Sequence, residues 1–154
     1  SIEDPLGDSV DLISYDEYFG WYYVTFFTDQ MMISEGTLRQ LMFEVMPKIK
    51  ISSIFDKPIH ISEFGAGAKY GNHTNKIWSE GYQAKLYKHQ LEMLSNNPQI
   101  QGISPWVFKD FRAMLRPLPG IQDFYNRKGL IDENGNKKEA FEVLADFYEN
   151  KWHK

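Results

Sequence analysis

The residue whose type and place could do chemistry is Glu63, in the stretch Pro58-Ile-His-Ile-Ser-Glu-Phe-Gly-Ala-Gly67. Pro58 to Ser62 reads as a short buried strand, with proline only at its first residue, where no ladder hydrogen bond is lost. The strand ends in the carboxylate. Phe64-Gly65-Ala66-Gly67 follows, a loop through which two glycines let the backbone turn. Barrels and open α/β sheets place reactive groups at such strand ends. The same pattern also fits a glutamate that only caps or pairs beside its loop.

Two further strands end in comparable chemistry. Asp11-Leu-Ile-Ser-Tyr15 leads into Asp16-Glu17-Tyr18-Phe19-Gly20-Trp21-Tyr22, which mixes carboxylates and aromatics. Ile100-Gln-Gly-Ile-Ser-Pro-Trp106 closes in Trp106-Val-Phe-Lys-Asp110-Phe-Arg112. Aromatic residues make up 16% of the chain. Such a surplus serves either a large core or stacking platforms for the apolar faces of sugar rings. His60 alternates with the core positions of its strand and reads as a buried, hydrogen-bonded histidine. The histidines show no metal-ligand spacing, so no catalytic metal and no cofactor is predicted.

Helices must carry the chain between these strands. Residues 23–36 read as an irregular loop that could open a helix. From Thr37, the residues Leu38, Leu41, Met42, Val45 and Ile49 form an apolar stripe, with Arg39, Gln40 and Glu44 off that face. Pro47 predicts a kink or an end near Met46. Ser79 reads as the N-cap of a second helix, with Glu80 in its first turn. Ala84, Tyr87, Leu91 and Leu94 are its buried stripe, and Asn96-Asn97-Pro98 its end. A long Pro/Gly loop runs to about Asp123, and Asp132-Glu-Asn-Gly135 is a turn. Ala140, Val143, Leu144 and Phe147 mark a last helix, with Lys151 and Lys154 suited to its C-terminus. Strand and helix alternate, which predicts an α/β fold with a parallel sheet and every functional loop on one edge.

The 154 residues are within the size of one domain. Hydrophobic content of 42% and a net charge of −4 predict a globular chain with no polyanion-binding stripe, so nucleic acid is not expected as partner. No apolar run is long enough to span a bilayer, and no membrane partner is expected. Cysteine is absent, which removes disulfides and thiol chemistry and leaves the compartment open.

Taken together, Asp11 to Tyr22, Ile61-Ser-Glu-Phe-Gly-Ala-Gly67, Trp78-Ser-Glu-Gly-Tyr-Gln83 and Tyr125-Asn-Arg-Lys-Gly-Leu130 resemble the catalytic barrel of glycoside hydrolase family 2, its β-glucuronidase-like branch above all. The resemblance runs from about Asp11 to Tyr148. It implies that the three strands are the sixth to eighth of a TIM (β/α)8 barrel, with residues 1–154 its C-terminal portion. Glu63 then matches the nucleophile of a retaining enzyme, and Tyr18 the tyrosine that hydrogen-bonds and orients it. Trp106 matches the tryptophan that floors the sugar subsite. Asn126 and Lys128 fall on the pair that grips the carboxylate of a sugar acid, although Lys128 also fits a solvated surface lysine. Asp16, Trp21, Tyr22 and Asp110 complete the expected substrate-binding set, and a β-glycoside is the expected substrate.

Two departures from the family pattern stand out. The family often has Asn where this chain has Asp16, so either Asp16 pairs with a cation or the subsite differs. The family's acid/base glutamate follows an Asn on the fourth strand, and no Asn-Glu pair precedes the first strand here. The chain is therefore expected to be a fragment, inactive alone, that supplies the nucleophile but not the acid/base. A full barrel takes about 250 residues. Open sheet edges are expected to pair with the N-terminal part of the barrel or with a second copy. A β-galactosidase of the same family is the alternative. A non-catalytic carbohydrate-binding, assembly or design piece is the alternative of another class.

Overall fold

The computed structural model describes residues 1–22 and 34–150. Most of the loop expected over 23–36 lies outside the described residues, as do Lys151 and Lys154. Strands β1 (Ile13–Asp16), β2 (Ile59–Glu63) and β3 (Ile100–Ile103) form one sheet in the order β1-β2-β3. Both pairings are parallel. Helix α1 (Glu35–Val45) lies between β1 and β2 in the chain, and α2 (Glu80–Ser95) between β2 and β3. The expected strand–helix alternation and parallel sheet are present. β3 stops at Ile103, short of the expected Trp106, with Pro105 unable to donate to a ladder.

The faces of the sheet follow from alternation. Ile13, Ile59, Ile61 and Ile100 are buried on one side. Ser14, His60 and Gly102 are cross-strand partners on the other. His60 shares a hydrogen bond with each neighbour, its Nδ1 3.2 Å from Ser14 Oγ and its Nε2 2.9 Å from Ser104 Oγ. A Cβ at position 102 would lie 2.9 Å from the His60 ring, so glycine there makes room for it. The β1–β2 register slips between Tyr15 and Asp16, which sets Asp16 opposite Glu63.

The chain packs as two compact units, Ser1–Phe64 with His89–Pro105, and Gly65–Lys88 with Trp106–Lys154. In the first unit α1 begins where Ser34 Oγ accepts the Thr37 N–H at 3.1 Å. It ends in a 3-10 turn, Met46–Lys48, that contains Pro47. The face it buries differs from the expected stripe. Leu38, Phe43 and Met46 are buried, whereas Leu41 is 44% and Val45 53% exposed. Arg39, expected outside, is buried, with Nη1 3.4 Å from Gly20 O. A long aliphatic stem ending in a donor can be buried where a backbone acceptor meets its head. That possibility rotates the inward face away from the purely apolar stripe.

In the second unit Ser79 Oγ accepts the Tyr82 N–H at 3.1 Å and caps α2 as expected. Helix α3 (Glu139–Asn150) buries Ala140, Leu144 and Phe147, three of the four expected positions. On either side of the expected Pro/Gly loop, β4 (Phe111–Arg112) and β5 (Tyr125–Asn126) pair antiparallel. Such short strands leave no alternation to read. The turn after Asp132 is closed by Gly135 N–H to Asp132 O at 3.1 Å.

Candidate active site

Glu63 is the last residue of β2 and is half-buried. Its Oε2 accepts the Tyr18 hydroxyl at 2.8 Å. Tyr18 follows β1 by two residues, and the Glu17 N–H donates to Glu63 O at 2.7 Å, so the backbone is tied where the tyrosine leaves the sheet. Burial, then the Glu63 carboxylate, push the Tyr18 hydroxyl far above the usual phenol range. Tyr18 therefore stays a proton donor to this carboxylate at any working pH.

The other expected residues of the first unit divide. Asp16 Oδ1 accepts the Ser62 hydroxyl at 3.0 Å, so its partner here is a neutral donor. Tyr22 is 46% exposed and meets the Tyr18 ring edge-on, with centroids 4.9 Å apart. Trp21, expected to bind substrate, is turned into the core at 6% exposure. Gly20, just before them, sits at φ +85°, and the Trp21 and Tyr22 rings meet edge-on with centroids 6.4 Å apart.

In the second unit Trp106 is half-buried and packs edge-on against Phe111 at 6.3 Å. The Trp106–Val107 peptide bond is cis. Asn126 and Lys128 are both buried, at 9% and 6% exposure, so Lys128 is not a solvated surface lysine. Asn126 Oδ1 accepts the Lys128 N–H at 3.1 Å. Asp110 has a different place from the one expected. Its side chain is fully enclosed and binds Lys138 Nζ at 2.8 Å and Arg127 Nη1 at 3.2 Å. Burial pushes the Asp110 carboxyl up and the Lys138 ammonium down, and each opposes the other's shift.

Sequence reasoning missed Glu17. It is 2% exposed, and its Oε1 accepts the Phe19 N–H. Its Oε2 has no hydrogen-bond partner among the described residues. Burial pushes its carboxyl up to about 8. Glu17 directly follows β1, past the register slip between Tyr15 and Asp16, where strand alternation no longer tells which side chain is buried. Glu80 is more than the first-turn acid its position in α2 suggests. Its Oε2 accepts the Glu139 N–H at 3.1 Å, so it also serves the N-terminus of α3.

No protein-family model matches the chain. Solved structures do match it. A GH2 β-galacturonidase from Eisenbergiella tayi, solved bound to galacturonate, is 31% identical with a TM-score of 0.65, over 90% of this chain and 23% of that one. The β-glucuronidase of Ruminococcus gnavus has a TM-score of 0.70 over 92% of this chain and 23% of its own, and at 23% identity it speaks for the fold alone. Among curated proteins, the β-glucuronidase of Streptococcus agalactiae is 30% identical over 139 residues, which is 89% of this chain. The chain spans 21% of that relative's length.

The fold is thus part of a TIM barrel of the glycosidase type, three parallel strands with their helices. Within that class the chain is glycoside hydrolase family 2-like, with its resemblance centred on the β-glucuronidases.

Proposed function

We propose that residues 1–154 form the C-terminal portion of a single catalytic (β/α)8 barrel in a retaining exo-β-glycosidase that acts on β-uronides, β-glucuronides first. The observation that carries this reading is the 2.8 Å hydrogen bond from Tyr18 to Glu63 at the end of the central strand. Glu63 attacks the anomeric carbon and forms a glycosyl-enzyme as the bond to the aglycone oxygen breaks. A second carboxyl, about 5–5.5 Å away in such enzymes, protonates that oxygen and then activates water. This second group comes from a segment other than the present chain. Asn126 and Lys128 hold the sugar carboxylate, an amide and a point cation sharing one anion. The family resemblance gives Trp106 the floor of the sugar subsite and Tyr22 a substrate-binding role. Asp16 bound to Ser62, where the family often has Asn, gives this subsite an acceptor in place of a donor. The S. agalactiae and E. tayi relatives support a uronide by name. Glucuronate and galacturonate share the carboxylate and differ at one ring hydroxyl.

The test uses the protein that carries the complete barrel. Glu63→Gln should abolish turnover of an aryl β-glucuronide, and retained turnover would refute the role of Glu63. Lys128→Ala should raise KM for the glucuronide far more than for the matching galactoside. Equal losses would move the reading to a β-galactosidase. Strands β1 and β3 are the edges of the sheet and are the places where the rest of the barrel, or a second copy, pairs. Sedimentation of the chain alone should show self-association, and a stable monomer would count against edge pairing.

A further inference from the structure

Lys138, just before α3, is 1% exposed, and no sequence signal singles it out. Its Nζ donates to both oxygens of Asp110, at 2.8 and 3.0 Å, to Ala68 O at 2.7 Å and to Arg127 O at 3.1 Å. Asp110 in turn accepts the Gly129 N–H at 2.8 Å. The pair thus grips the backbone on both sides of Lys128, at Arg127 O and at Gly129 N. Gly129 is required for this approach: a Cβ there would lie 2.3 Å from Asp110 N and 2.4 Å from Asp110 Oδ1.

We infer that the buried Asp110–Lys138 pair is the positioning element of the Asn126–Lys128 run, fixing the turn so that both side chains meet a sugar carboxylate in one geometry. The inference rests on the uronide reading above. Neither Asp110 nor Lys138 touches the sugar. They act through the turn. Lysine is a point charge on a flexible four-carbon stem, so its aim depends on how firmly its backbone is held.

The test uses the protein that carries the complete barrel. Removing Asp110 alone would leave Lys138 a buried cation with only carbonyl partners, so the pair is replaced together by apolar side chains, as Asp110→Leu with Lys138→Met, while Arg127 keeps Glu133 as counter-charge. Gly129→Ala, which pushes the turn off Asp110, is the independent variant. For an aryl β-glucuronide the paired variant should raise KM about tenfold and change kcat less than about threefold; in the Lys128→Ala background it should add less than about twofold, because both changes act through one contact. Amide exchange over residues 126–130 should quicken while β2 keeps its protection. Losses that multiply across the two backgrounds, or unchanged exchange over 126–130, overturn the inference. If the parent protein neither binds nor turns over uronides, the uronide reading fails by itself. The exchange measurement then still decides whether the pair holds the turn.

Discussion

The Tyr18 hydroxyl lies 2.8 Å from Glu63 Oε2. The two side chains come from the ends of neighbouring parallel strands, β1 and β2, whose register sets Asp16 opposite Glu63. A neutral phenol on a carboxylate holds the charge in place without neutralising it. Tyr18→Phe should therefore keep the fold and lower kcat in the protein with the complete barrel. A hydrogen bond to a charged group contributes about 1.5–3 kcal/mol, which corresponds to roughly 10- to 150-fold in rate. An unchanged kcat would show that the tyrosine only fills space.

Glu17 makes stability depend on pH. Its folded-state value of about 8 lies above its ordinary 4.5. Below the ordinary value the group is protonated in both states, and its full contribution is present. As pH rises towards 8, the unfolded chain gives up the proton and the folded chain holds it, so stability falls. Above 8 the loss is complete. Each unit of difference is worth about 1.4 kcal/mol, so the total is of the order of a few kcal/mol. Urea unfolding at pH 5 and pH 8.5 should show this fall in the parent chain and a much smaller one in Glu17→Gln.

The rotated face of α1 separates two leucines that the sequence treats alike. Leu38 is 7% exposed and Leu41 is 44% exposed. Leu38→Ala should cost about 2–5 kcal/mol. Leu41→Ala should stay within about 0.5 kcal/mol, as surface changes do. Equal costs by urea unfolding of the chain would mean that something covers the outer face in solution.

Gly65, two residues after Glu63, has φ +131°, and a Cβ there would lie 2.7 Å from the Tyr87 hydroxyl. Gly65→Ala should destabilise by about 1–3 kcal/mol through strain and crowding. Adding Tyr87→Phe removes the crowding atom but not the strained backbone. Thermal unfolding of the single and double variants should therefore show partial recovery. Full recovery would place the whole cost in the side-chain contact.

Much of this arrangement was legible in the chain itself. Short Ile-rich runs, each followed by a polar or aromatic loop, specify a parallel sheet with Glu63 at a strand end. Ser79 and Pro47 mark helix limits because a hydroxyl can cap and a proline cannot donate. What stayed hidden depends on partners far along the chain. Asp110 and Lys138 are an acid in a loop and a lysine before a helix. Only their meeting at 2.8 Å makes either of them burial-worthy. The same holds for Arg39, whose place inside is set by the Gly20 carbonyl.

The sequence by itself determined the alternation of strands and helices, the carboxylate at the strand end and the resemblance to a glycosidase barrel. These are local properties, written in period, capping and motif. The tertiary structure decided which polar groups are buried, which of the paired aromatics Trp21 and Tyr22 faces outward, and that Asp110 serves a buried lysine. A buried charge is tolerated only where another part of the chain supplies its counter-charge and hydrogen bonds, and no local pattern records that supply.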